Sequence, residues 1–260
     1  MRCPRPPVRR PDVTDTRWCG GALIRPGILA FAGSIGATDT HAHHAAQVMT
    51  ADTSLTVADE AGARHCGTAI VVPPDTAHRI ATGAPTGAVV FLDPDTAAGR
   101  AAGHRAHRFG WAGGPPLPAP AVDGGLGALV ADVVGALVPD SAPRPPDRHR
   151  SVTAALELLP TLVADGPVTT SDLADRVGLS TSRLSHLFSE QVGLPLRRYV
   201  LWTRLMIAVT EVGAGRDLTT AAHAAGFADS AHLTRTCRDT FGLPPSALSR
   251  TVTWDTTPRR

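Results

Sequence analysis

One stretch of this chain repeats itself. Leu173-Ala174, three further residues and Gly178-Leu179 return as Ala221-Ala222, three residues and Gly226-Phe227, a shift of 48 positions. Leu184, Phe188, Gly193 and Pro195 then return as Leu233, Cys237, Gly242 and Pro244 at a shift of 49, so the second copy carries one extra residue in its turn. Such a repeat constrains the fold strongly, because both copies must satisfy one local structure. In each, a short helix holding a small buried Ala ends at a glycine free to take positive φ. A tight turn follows, and a second amphipathic helix starts at Ser or Asp. Ala174 and Ala222 let two steeply crossing helices approach closely, while Leu184 and Phe188, one turn apart, face the core. This is the grammar of a helix-turn-helix.

The face opposite that core is polar. It holds Thr181, Ser182, Ser185 and His186 in the first copy, and Ser230, Ala231, Thr234 and Arg235 in the second. A recognition helix reads base edges from its first turns, where short donors and an Arg fork reach the major groove and the helix N-terminus favours phosphate. Between the copies, Leu196 to about Glu211 reads as one continuous helix carrying Arg197, Arg198 and Arg204. At 1.5 Å per residue it spans roughly 24 Å, enough to hold two readers for successive major-groove segments about 34 Å apart. Arg235 also lies four residues before Asp239, where a solvated ion pair is the alternative use.

Residues Ser151 to Arg250 resemble the AraC/XylS family of bacterial regulators. The resemblance rests on Ala222-x-x-x-Gly226-Phe227-x-Asp229-x-x-x-Leu233-x-Arg235-x-x-Arg238-x-x-x-Gly242-Leu243-Pro244-Pro245, which follows that family's second-motif signature in order and spacing. Two departures stand out. Leu233 and Cys237 sit where aromatic residues are common, and Leu248-Ser249-Arg250 replaces a Tyr-Arg ending. The resemblance implies a sequence-specific DNA-binding transcription regulator, with Thr181, Ser182, Ser185, His186, Arg197, Ser230, Ala231, Thr234 and Arg235 facing DNA. It also implies double-stranded DNA, RNA polymerase and a small-molecule effector as partners, with no catalytic residue and no cofactor.

The 260 residues suggest two domains. Residues 139–150 carry four prolines and almost nothing apolar, and mark a linker between a domain at 1–138 and another at 151–251. Upstream of about Arg108, short Val, Ile and Thr-rich segments between Gly, Pro and Asp turns read as antiparallel β. A Gly/Pro-rich stretch runs to Pro120. Leu126, Leu129, Val130, Val133, Val134 and Leu137 then paint one helical stripe over about 122–138. Its partner is either the flank of its own β domain or the same helix of a second subunit, as in a homodimer. The fold class expected is therefore α+β, with an amino-terminal β domain and an all-α carboxy-terminal domain holding two helix-turn-helix motifs. The cluster Gly124-Gly125-x-Gly127 lacks a preceding strand and the remaining glycine of a nucleotide loop, and reads as a helix start.

His41-Ala42-His43-His44-Ala45-Ala46-Gln47 and the later Val72-Pro73-Pro74-Asp75-Thr76-Ala77-His78 look like the two motifs of a cupin barrel. Metal-binding cupins place a carboxylate where Gln47 stands, so the resemblance implies either an effector pocket or a metal site built from His41, His43, Gln47 and His78.

Net charge is only +2, so nucleic-acid binding has to come from local pattern. All basic residues are Arg, which suits bidentate contacts but also follows from a GC-rich coding bias. The four cysteines are scattered and suggest neither a disulfide framework nor a zinc site, and no apolar run approaches a signal peptide or a bilayer span. A cytoplasmic protein is expected. A cupin-type metalloenzyme with a helical appendage is the competing function, and an interaction adaptor would need blocked or acidic recognition helices.

Overall fold

The computed structural model describes residues 18–120, 125–138, 147–249 and 252–255, so most of the expected linker lies outside the described residues. The chain divides into two units, one of Met1–Pro143 with Cys237–Arg260 and the other Arg144–Thr236. The architecture is mixed α+β.

The first unit is built on a seven-stranded sheet: β1 (Cys19–Arg25), β2 (Ile28–Ile35), β3 (Ala46–Asp59), β4 (Arg64–Val72), β5 (His78–Thr82), β6 (Ala84–Leu92) and β7 (Val252–Asp255). Pairing runs β4-β3-β6-β2-β1-β7, with β5 also on β3. The first six strands pair antiparallel, as their alternation and turns predict. β7 joins β1 in parallel, with Arg25 and Asp255 in an ion pair at 3.0 Å. Nothing in the sequence pattern announced this last strand.

Both faces of the sheet are apolar, which explains runs such as Ala88 to Leu92 that do not alternate with polar residues. Leu23, Ala30, Val48, Val71, Ala88 and Val90 point to one core, while Ala22, Phe31, Met49, Ile70, Val72 and Val89 point to the other. The period of two thus sorts one continuous apolar run between two cores. The first is closed by α1 (Ala97–Phe109) and α2 (Leu126–Leu137).

Helix α1 was not evident in the sequence because its buried residues, Ala98, Gly99, Ala102, Gly103 and Ala106, are all alanine or glycine; Thr96 caps it by accepting from Gly99 N. In α2, Leu129, Val130, Val133 and Leu137 are buried in the core of the chain's own sheet, with Leu126 and Val134 packed beside them. The stripe therefore packs on the flank of its own domain, the first of the two partners the sequence left open. Among the cysteines, Cys19 and Cys237 carry free thiols.

The second unit is helical. Helices α3 (Arg150–Asp165), α4 (Thr170–Arg176), α5 (Thr181–Val192) and α6 (Leu196–Gly213) lead to α7 (Leu218–Ala224) and α8 (Ser230–Phe241), whose residues from Cys237 on belong to the first unit, as does a short α9 (Ser246–Ser249). Val152, Ala155, Leu159 and Val163 of α3 pack with Leu173, Ala174, Leu184, Phe188 and Tyr199 into one core. Phe188 meets Tyr199 edge-on at 5.4 Å. The connecting helix runs two residues beyond the predicted Glu211, to Gly213.

Candidate nucleic-acid interface and histidine cluster

The repeat seen in the sequence is a repeat in structure. Helices α4 and α7 each have seven residues, and α5 and α8 each have twelve. The first helix of each pair is followed by a left-handed glycine, Gly178 at φ 68° and Gly226 at φ 74°. Leu179 N then donates to Ala174 O, and Phe227 N to Ala222 O, so the buried alanines also anchor the turns. Gly193 and Gly242 close the second helices, again at positive φ.

The polar faces are open. Thr181, Ser182, His186, Ala231 and Arg235 are exposed, and Ser185, Ser230 and Thr234 are half-buried. Ser185 Oγ donates to Thr181 O at 2.9 Å and Thr234 Oγ1 to Ser230 O at 2.8 Å, the same back-bond at equivalent positions. These hydroxyls keep a lone pair for a further donor. His186 lies 3.9 Å from Glu190, whereas among the described residues no ion pair joins Arg235 to Asp239. Arg197 is exposed in the first turn of α6. Sequence reasoning passed over Arg183 and Arg238, both exposed on α5 and α8; a basic residue in the first turn of a reader was the available signal for Arg183.

The histidines meet inside the first unit. His41 and His78 pair through reciprocal backbone bonds of 2.9 Å, and His43 O accepts from Asp75 N, where Asp75 takes a left-handed φ of 56°. One ring nitrogen from each of His41, His43 and His78 lies within 4.8 Å of the others, and all three side chains are buried. Each Nδ1 faces a backbone carbonyl at 2.8 Å: Asp39 O, Ala45 O and Thr76 O respectively. Gln47, which is 1% exposed, places its amide 2.8 Å from His43 Nε2 and 2.7 Å from His78 Nε2. Burial first, then the neighbouring His43, lowers His41 to a pKa of about 4 and His78 to about 2; burial also depresses His43. The three rings are therefore neutral near pH 7. Phe91 and Trp111 border the cluster, with ring centres 5.0 Å from His43 and 6.3 Å from His78. Trp111 sits in the Gly/Pro-rich stretch, where no periodicity assigned it a neighbour.

Residues 173–251 match the model of a helix-turn-helix domain family. A transcriptional regulator from Chromobacterium violaceum, described by its AraC-type DNA-binding domain, is 28% identical over 37% of this chain and 86% of its own, with a TM-score of 0.35. Residues 173–251 of this chain form an AraC-type helix-turn-helix DNA-binding domain. The apo form of a ToxT variant from Vibrio cholerae aligns with 87% of this chain and 98% of its own at 9% identity and TM-score 0.53. Wild-type ToxT from the same organism, bound to an unsaturated fatty acid, aligns with 91% and 98% at 8% identity and TM-score 0.51. At those identities the likeness is one of fold, a sheet domain joined to a helical part. No curated protein matches the chain.

The AraC-type match begins at Leu173, inside α4, and runs through α8. All nine residues expected to face DNA lie within it, and the histidine cluster lies outside it. Among the described residues no helix is long and apolar enough to cross a membrane.

Proposed function

We propose that this regulator reads double-stranded DNA with two helix-turn-helix motifs, α4–α5 and α7–α8, and that a small molecule held in a cupin-like amino-terminal domain controls the reading. Thr181, Ser182, Ser185, His186 and Arg197 form the first reading surface, and Ser230, Ala231, Thr234 and Arg235 the second. The observation that carries this is the pair of equal twelve-residue helices, each presenting a polar first turn to solvent. Small hydroxyls permit close approach to base edges, and Arg235 supplies a fork for guanine or phosphate. ToxT, which shares the two-part fold, has been solved with a fatty acid bound, and that supports an effector in the sheet domain here. The domains follow as 1–138 for sensing and 151–251 for DNA, in a cytoplasmic protein that works with RNA polymerase.

The test is fluorescence anisotropy with DNA from upstream of the protein's own gene, over a range of salt. Tight binding whose affinity falls linearly on a log–log salt plot is expected, with at least a thousandfold preference over scrambled DNA. Equal affinity for both sequences would remove the reading. The cupin-type metalloenzyme is favoured only by the histidine cluster, and an enzyme of that kind would bind neither DNA selectively.

A further inference from the structure

The second helix pair carries a guanidinium at its turn that the first pair lacks. Helix α6 turns once every 3.6 residues, so Arg197 and Arg204, seven positions apart, fall on one face about 10.5 Å from each other along the axis. Arg197 stands in the first turn of α6, whereas Arg204 reaches the turn between α7 and α8. Measured from the place a β-carbon would occupy on Gly226, Arg204 Nε lies at 3.3 Å, Cζ at 3.6 Å and Nη2 at 3.8 Å. The guanidinium therefore rests on the left-handed glycine, where the absence of a side chain leaves it room. At Gly178, the matching glycine of the first pair, a β-carbon would meet nothing within 4 Å. Positive φ explains both glycines; the guanidinium is an addition to the second.

That charge is not used inside the protein. Among the described residues Arg204 enters no ion pair and no hydrogen bond, and of its nitrogens Nε alone is buried. Arg105 also buries its Nε, but its Nη2 donates to Gly113 O at 2.9 Å and to Pro115 O at 2.6 Å, so its place in the fold is accounted for. From Leu196 to Ser230 the chain has three carboxylates, and each is engaged elsewhere. Glu211 bonds Arg216, Asp217 accepts from Thr219 and Thr220, and Asp229 accepts from His232 N. A half-buried cation without a counter-ion is unfavourable until an anion arrives, and its fork matches two oxygens of a phosphate. Gly226 is exposed, and α8 begins four residues after it, at Ser230. Phosphates line both edges of the groove that a reader helix enters, and contacts to them set register without reading sequence.

We infer that Arg204 is a DNA-backbone contact of the second reader: seated on Gly226, its guanidinium binds a phosphate beside the groove that α8 enters. The inference rests on α8 being a reader, and adds the residue that fixes where that helix stands.

The full-length wild-type, Arg204→Met, Arg204→Gln and Arg204→Lys proteins are titrated by fluorescence anisotropy over a range of salt, with DNA from upstream of the protein's own gene and with scrambled DNA. Arg204→Met keeps an apolar stem and removes the charge; Arg204→Gln repeats the test with a polar neutral group. Affinity should fall about tenfold for both DNAs, leaving the preference between them unchanged, and the log–log salt slope should become shallower by about one. Arg204→Lys should retain the wild-type slope. Arg235→Ala, which removes a base contact, should instead erode the preference itself. Circular dichroism reports whether each variant is folded. A salt slope unchanged in the folded neutral variants would overturn the inference, as would a loss confined to the upstream DNA. Unfolding of both neutral variants would overturn it too, since the guanidinium would then serve the fold. A wild-type protein that does not distinguish the two DNAs would remove the two-reader proposal itself, and this inference with it.

Discussion

The two helix pairs share a backbone and differ in what they do with it. Helix lengths, left-handed glycines, buried alanines and the back-bonded hydroxyls at Ser185 and Thr234 are common to both. Their interiors are not. Phe188 is fully buried against Tyr199, while Cys237 fills the equivalent place with a far smaller group whose thiol burial pushes up to about 12, so it remains protonated. Their surfaces diverge the other way: His186 has Glu190 nearby, and Arg235 stands exposed. The shared positions set the shape and the unshared ones divide the work, with the heavier core in the first copy and the stronger cation in the second.

The largest test of that division is in the cores. Phe188→Ala should cost about 3–5 kcal/mol, whereas Cys237→Ala should cost about 1 kcal/mol, read from urea unfolding. Equal losses would mean that the copies are not unequal in packing. On the DNA side, Arg235→Ala should weaken operator binding by about 1–3 kcal/mol and relax specificity at one base pair, with His186→Ala weakening it less. A gel-shift titration that ranks them in reverse would move the main reader to α5.

The glycines test what is common. Gly178→Ala and Gly226→Ala should each cost roughly 1–2 kcal/mol, because both stand at positive φ. A Cβ at Gly178 meets nothing within 4 Å, and one at Gly226 meets the Arg204 side chain at 3.3 Å, so the second loss should be equal or slightly larger.

The smallest difference is at the caps. Thr169 accepts one bond from Asp172 N, but Asp217 accepts from Thr219 N, Thr220 N and the Thr220 hydroxyl. The bonds from Thr220, backbone then side chain, hold the Asp217 carboxyl below its ordinary value of 3.8. A depressed carboxyl stabilises fully above its unfolded pKa and loses that contribution as pH falls through the folded one. Melting from pH 6 down to 3 should therefore show a decline that Asp217→Ser reduces and Thr169→Ser leaves unchanged.

Much of this was legible before the fold. Gly178, Gly226, Ala174 and Ala222 declared both turns, because a backbone of positive φ and a close helix crossing admit few other residues. The β segments up to Leu92 were equally plain. Helix α1 was hidden because alanine buries well but contributes little hydrophobic contrast. β7 was hidden because a four-residue edge strand has no pattern of its own, and only its parallel register on β1 makes it one. In the histidine cluster the residue types were visible, but not the direction of any ring. Asp39, Ala45 and Thr76 act there through their carbonyls, and backbone atoms leave no trace in residue identity.

The sequence by itself determined the duplicated helix pair, since its constraints are local: a glycine for a dihedral angle, an alanine for a crossing, a polar first turn for the exterior. Tertiary structure alone decided where the apolar stripe of α2 goes and which nitrogen each histidine presents. Both depend on surfaces and carbonyls supplied by residues distant in the chain or silent in its side chains.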